Sequence, residues 1–284
     1  MAIRKIERVI QGVATSDGAG VKLKRSIGST QFARIDPFLM LDEFFSDNPD
    51  DYIAGFPSHP HRGFETVTYM LDGHMRHEDS VGNRGDLGPG DVQWMSAARG
   101  IIHSEIPQQT EGRMRGFQLW INLPATHKMK DPSYKDVPAA SIPVVDLEYG
   151  GQVKVIAGSF SSGGSVTSGP VPVSPTNPVF YDVTLEDGGK FELPIAVNRG
   201  AFLYLYEGNL SVGEDRSGIN KSTAVILSNG EEILLTAGEG GARFLFLAAD
   251  PINEPVVQYG PFVMNTREEI DQAIQDYQSG RLTQ

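Results

Sequence analysis

Two short pairs of residues have the types and spacing to do chemistry: His59 with His61, and His103 with Glu105. Alternate side chains of a strand share a face, so each pair would point one way. Brought together from neighbouring strands, the pairs would offer three imidazoles and one carboxylate. Such a set suits iron, copper, nickel or zinc and leaves two positions open on an octahedral ion. The spacing of His59 and His61 is common on its own; the second same-face pair, in the run Gly100 to Glu105, makes it a candidate metal site. The chain has no cysteine. Thiolate ligands, a cysteine nucleophile and disulfides are therefore excluded, and a metal must be held by nitrogen and oxygen.

Positioning such a cluster takes short strands and tight turns, and the sequence supplies both. Its 32 glycines and 18 prolines punctuate apolar runs rich in Val, Ile, Phe and Tyr, the texture of sandwiches and barrels. Strands are predicted at 5–11, 21–26, 65–70, 75–79, 92–95 and 117–123, with turns at 17–20, 72–73, 83–86 and 89–91. The apolar segment 36–45 reads as a buried strand or loop because Pro37 sits at its start. Short antiparallel strands at this spacing suggest a jelly-roll barrel with the histidines inside. The polar stretch 124–145 reads as a surface connection and puts a domain boundary near 145. The second half repeats the first in outline: 201–208 echoes 66–73, and 224–235 with 243–248 echoes the later strands. His127 is the last histidine, so a second site of the same kind is excluded there. Near the end, Thr266 and Glu269 form a capping box, Ile270, Ala273, Ile274 and Tyr277 share a helical face, and Gly280 is a suitable stop. This helix is expected to pack on a sheet as a lid.

Composition also narrows the classes of function. A formal charge of −12 disfavours nucleic acid or acidic lipid held by bulk electrostatics, and the small cluster Lys22, Lys24 and Arg25 does not reverse that. The first residues carry charge where a signal peptide needs an apolar core, and no run approaches the roughly 20 apolar residues of a membrane span. A soluble, cytoplasmic protein is expected. The absence of a nucleophile elbow argues against an ordinary hydrolase. The stretch 161–165 lacks the lysine of a phosphate loop and reads as a hairpin tip. No residue is assigned to an organic cofactor. His74, His77 and His127 are placed at the surface, and Trp94 and Trp120 in the core or at the edge of a pocket. Arg62-Gly63 and Arg99-Gly100 are assigned to turn geometry and a salt bridge.

Four blocks carry a family resemblance: Asp36 to Glu43, His59 to Glu65, Pro89 to Met95 and Arg99 to Glu105. In order and spacing they resemble the pirin family, and the likeness extends over nearly the whole chain. The resemblance implies an all-β fold of two jelly-roll (cupin) β-barrel domains with a short C-terminal helix. Residues 1–145 would be the metal-binding cupin domain and 146–284 a cupin domain lacking metal ligands. It implies that His59, His61, His103 and Glu105 bind one divalent transition metal, expected to be Fe(II), with Cu, Ni, Zn or Mn as alternatives. Glu65 stands where the wider cupin pattern has its carboxylate ligand; in pirins that role matches Glu105, which leaves Glu65 to orient a ligand or support the structure. Pirin-like proteins include quercetin 2,3-dioxygenases. The implied activity is thus cleavage of a flavonol ring with O2, with Glu105 accepting the proton of the flavonol 3-hydroxyl. The alternative is an iron-binding regulatory protein that acts through protein partners rather than direct nucleic-acid contact, with the nucleus as a further location in a nucleated cell. A sugar-binding or isomerising cupin fits the fold without residue-level support.

Overall fold

The computed structural model describes residues 2–30, 32–171, 173–214 and 217–284. In chain order the first strands are β1 (Ile6–Gln11), β2 (Val13–Asp17), β3 (Val21–Arg25), β4 (Phe38–Ser46), β5 (Phe56–His61) and β6 (Phe64–Asp72). They are followed by β7 (Met75–Asp79), β8 (Arg84–Leu87), β9 (Val92–Ser96), β10 (Ile101–Pro107), β11 (Met114–Asn122), the short helix α1 (Ala125–Lys128) and β12 (Ser133–Val137). The C-terminal helix α2 spans Arg267–Gln278 and carries the expected capping box between Thr266 and Glu269. Among the described residues no helix is long and apolar enough to cross a membrane. The all-β architecture with a short terminal helix is the one expected.

Two compact units make up the chain. The unit that holds the histidine pairs comprises Ala14–Arg25, Phe38–Ala139 and Ile252–Gln284. It contains a sheet in the order β12-β9-β6-β11-β4-β3-β2 and a four-stranded sheet in the order β5-β10-β7-β8. Strands β4, β6 and β11 are buried over most of their length, which is why they read as near-continuous apolar runs. Strand β10 differs: every second residue from Ile101 to Pro107 is buried, so His103 and Glu105 share the inward face. In this unit α2 buries Ile270 and Ala273 against Phe262, Met264 and Leu282, whereas Tyr277 is left 41% exposed.

The other unit comprises Met1–Val13, Ser26–Pro37 and Ala140–Pro251. Its long strands Gly200–Val212 and Glu232–Ala249 pair with each other, and its interior is aliphatic and aromatic, with Phe160, Tyr181, Phe191 and Phe246 in ring contact. The Gly-rich tip is a hairpin, Ser159–Ser162 with Ser165–Ser168.

A single cut near 145 does not describe these units, because the chain exchanges its ends. Strand β1 pairs with Thr223–Leu227, and residues 252–284 join the unit of the histidines. Neither pairing leaves a local mark in composition. Two further expectations are corrected. The stretch 124–139 is not a mere connection: it supplies α1 and the edge strand β12, which pairs with β9. Residues 84–87 are strand β8, with Gly85 and Leu87 buried and Arg84 and Asp86 exposed; the turn lies just before them, around Ser80 to Gly82.

Candidate metal centre

Strand register assembles the cluster. Strands β5 and β10 are antiparallel neighbours with His59 opposite His103 and His61 opposite Ile101; the register shifts between His103 and Glu105. On the other side of β10, β7 sets Asp79 opposite His103 and His77 opposite Glu105. Residues paired across a ladder share a face, so β7, β10 and β5 turn these side chains to one interior. The turns flanking the ligand strands are fixed from behind by the C-terminal segment. Gly63 has φ +93°, and a Cβ there would lie 1.9 Å from the Val263 carbonyl oxygen. At Gly100 a Cβ would lie 2.2 Å from the Leu282 carbonyl oxygen. Between them Arg62 forms a salt bridge to Asp276 at 2.8 Å and donates from Nε to the Arg99 carbonyl.

His59 Nε2 lies 3.1 Å from His61 Nε2, while His59 Nδ1 donates to the Pro57 carbonyl at 2.8 Å. The His103 ring centroid is 4.3 Å from that of His59 and 4.9 Å from that of His61. One ring nitrogen from each of the three lies within 4.8 Å of the others. A second group, His77, His103 and Glu105, meets the same limit. His103 belongs to both. The structure thus brings the four expected residues together as two overlapping triads, with Glu105 on the side of His77. Thr68 Oγ1 donates to Glu105 Oε1 at 2.9 Å.

His61 and His103 are each 2% exposed and His59 is half-buried, so the cluster reaches solvent on the His59 side. Burial pushes both inner imidazoles well below their ordinary pKa; His59 adds to this at His61, where the Pro261 carbonyl acts the other way, and His61, His59 and His77 add to it at His103. The rings are therefore neutral at physiological pH, the form that binds metal. His61 Nδ1 and His103 Nε2 are buried without a hydrogen-bond partner. An unpaired buried acceptor costs about 1–3 kcal/mol, and a cation in reach of these nitrogens removes that cost at His103. The donor set and the orphaned nitrogen fit a transition metal. Beside them Trp120 lies against Phe64 at 4.3 Å, tilted by 35°, and meets the His61 ring at 5.3 Å.

The family model described as Pirin matches residues 20–121, and the one described as Pirin C-terminal cupin domain matches residues 180–283. The chain belongs to the pirin family. Human "Pirin" is 38% identical over 98% of this chain and 93% of its own length. The "Putative quercetin 2,3-dioxygenase" of Pseudomonas aeruginosa is 53% identical over 98% of both chains. The crystal structure of quercetin 2,3-dioxygenase from Acinetobacter baumannii superposes with a TM-score of 0.89 at 34% identity, covering 99% of each chain.

One histidine of this pirin lies elsewhere than its sequence context implies. His77 is not at the surface: it is fully buried, in contact with His103 and with the Tyr134 ring at 4.8 Å. Its neighbours Arg76 and Glu78 are polar, which masked the inward parity that His77 shares with Met75. His74 is exposed and His127 half-buried. Trp94 is core, and Trp120 borders the cluster. Glu65 is buried and belongs to neither triad. Lys128 was not singled out by its sequence, yet it is 1% exposed. Its ammonium donates to the carbonyls of Gly63 and Val263 at 2.7 and 3.0 Å and to Asn122 Oδ1 at 2.6 Å, tying the turn after β5 to the C-terminal segment.

Proposed function

We propose that His59, His61, His103 and Glu105 hold one divalent transition metal, Fe(II) by family resemblance, and that the protein is a dioxygenase that opens the central ring of a flavonol with O2 and releases carbon monoxide. The observation that carries this reading is the convergence of three imidazoles, two of them buried and each with an unpartnered nitrogen, next to a carboxylate. The names of the Pseudomonas and Acinetobacter relatives support the choice of substrate. When bound, the metal lowers the pKa of a coordinated hydroxyl and aligns the two reactants.

The remaining work belongs to side chains of this chain. Thr68 holds Glu105 Oε1, leaving Oε2 to accept the flavonol 3-hydroxyl proton, a role that requires only hydrogen-bond reach in the complex. Trp120, half-buried beside the His61 ring, offers an aromatic face on which a planar substrate can stack. The test is oxygen uptake and loss of quercetin absorbance with Fe(II)-loaded protein, apoprotein and His103→Ala side by side. Turnover in the loaded wild type alone is expected. A fully loaded protein that leaves flavonols intact would overturn the dioxygenase reading and favour the regulatory one.

A further inference from the structure

The metal reading leaves two buried polar side chains of β7 without a task. His77 is fully buried, and the side chains of His77 and Asp79 are both 0% exposed. They form a chain that ends on a proposed ligand: Asp79 Oδ2 lies 3.3 Å from His77 Nε2, and His77 Nδ1 lies 3.3 Å from His103 Nδ1. We propose that Asp79 and His77 are positioning residues that fix the tautomer and ring orientation of His103, so that its Nε2 presents a lone pair to the metal. This inference rests on the metal-centre reading above.

Proton counting gives the direction of the chain. A carboxylate only accepts, so His77 Nε2 carries a proton, and in the neutral imidazole that the proposal requires His77 Nδ1 is left as an acceptor. His103 Nδ1 must then be the donor, and His103 Nε2 carries no hydrogen. That nitrogen is the one found buried and without a partner. Asp79 is itself anchored. Its Oδ1 accepts from the backbone N–H of Val81 at 3.0 Å and of Asn83 at 2.9 Å, and its Oδ2 accepts from Asn83 Nδ2 at 2.8 Å. The turn between β7 and β8 thus locks the carboxylate, the carboxylate locks His77, and His77 locks His103. On its outer side the His77 ring lies against Tyr134, inclined by 31°, and Tyr134 is held by Asp136 at 2.6 Å and Gln93 at 2.8 Å. His59 has a different support, the Pro57 carbonyl. Loss of an outer partner of a ligating histidine typically costs 10–100-fold in metal affinity.

Two variants test the chain with Co(II) as the probe. His77→Phe keeps a ring against Tyr134 and removes both hydrogen bonds. Asp79→Asn reverses the chain: the amide oxygen is needed by the Val81 and Asn83 N–H groups, so the amide nitrogen faces His77 Nε2 and makes it an acceptor. His77 Nδ1–H then donates to His103 Nδ1, and the proton moves to His103 Nε2, where the metal must displace it. Co(II) dissociation constants are measured by chelator competition, and the exchangeable imidazole N–H signals of the Co(II) protein by paramagnetic NMR. The expected result is affinity weakened about 10- to 100-fold in both variants. One slowly exchanging N–H signal should also be lost in His77→Phe, at unchanged Co(II) stoichiometry. If His77→Phe does not fold, Asp79→Asn decides the matter. Wild-type affinity together with an unchanged set of N–H signals in a folded variant would overturn the positioning role while leaving the metal centre standing. A wild-type chain that binds no Co(II) would overturn both.

Discussion

Replacing Arg62 by Met should loosen the whole back of the metal-site unit, and the size of the effect follows from what the guanidinium touches. Its side chain is 4% exposed; it pairs with Asp276, itself 18% exposed, and donates to the carbonyls of Arg99 and Leu282. Removing one partner of a buried ion pair costs about 3–5 kcal/mol. Asp276 keeps a hydrogen bond from Gln272 at 2.8 Å and lies 4.0 Å from Arg281, so the lower end of that range, about 3 kcal/mol, is expected. The double variant Arg62→Met with Asp276→Leu strands no charge and should recover most of the loss. Urea unfolding followed by tryptophan fluorescence reads this unit alone, because Trp94 and Trp120 are the chain's two tryptophans and both lie in it. At an m-value of roughly 1–3 kcal/mol/M the midpoint should fall by about 1–3 M. The hydrogen bond from Arg62 holds the Asp276 carboxyl below its ordinary pKa. The contribution of the pair is therefore full above the unfolded carboxyl value near 4 and is lost as pH falls through the lowered folded value. The deficit of Arg62→Met should shrink in acid accordingly. A single variant with the wild-type midpoint, or a double variant as unstable as the two singles summed, would refute the reasoning.

Glu105→Gln keeps a coordinating oxygen but not the basic site, so metal should be partly retained while turnover per bound metal falls about 10²- to 10⁴-fold; unchanged turnover per metal would assign the proton to another group. Gly63→Ala puts a methyl group 1.9 Å from the Val263 carbonyl at φ +93° and should lower the same fluorescence midpoint by the equivalent of about 3 kcal/mol, whereas a neutral effect would contradict the course of the C-terminal segment. Burial lowers the Lys128 pKa to about 8, so the unfolded chain holds a proton that the folded chain releases between about pH 8 and 10.4. Relative to Lys128→Met, the wild type should gain up to about 3 kcal/mol across that window, measured as paired urea midpoints; a flat difference would show that the ammonium persists.

What could be read from the sequence was what repeats locally. The parity of His103 and Glu105, set among buried Ile101 and Pro107, is the period of β10 itself, and the capping box of α2 needs only Thr266 and Glu269. His77 carried the same signal, since Met75, His77 and Asp79 alternate with Arg76 and Glu78, but a strand this polar reads as exposed unless its neighbour is known to be β10. Lys128 had no signal at all. Its acceptors come from Gly63, Asn122 and Val263, and nothing near it distinguishes a buried lysine from a solvated one. The same holds for β1, whose partner strand lies at the far side of the chain.

The exchange of chain ends has a consequence for biosynthesis. Strands β5 and β10, which carry the clustered histidines, are made early, yet the turns that flank them are sealed by Val263, Asp276 and Leu282. Domains commonly fold in the order in which they leave the ribosome. Here the first-made barrel waits for residues 263–282, so its histidines meet their final geometry only after the intervening unit has been translated. Capture of the proposed metal in that geometry would have to wait for Leu282, and a nascent chain stalled before residue 282 would carry the histidines without the completed cluster.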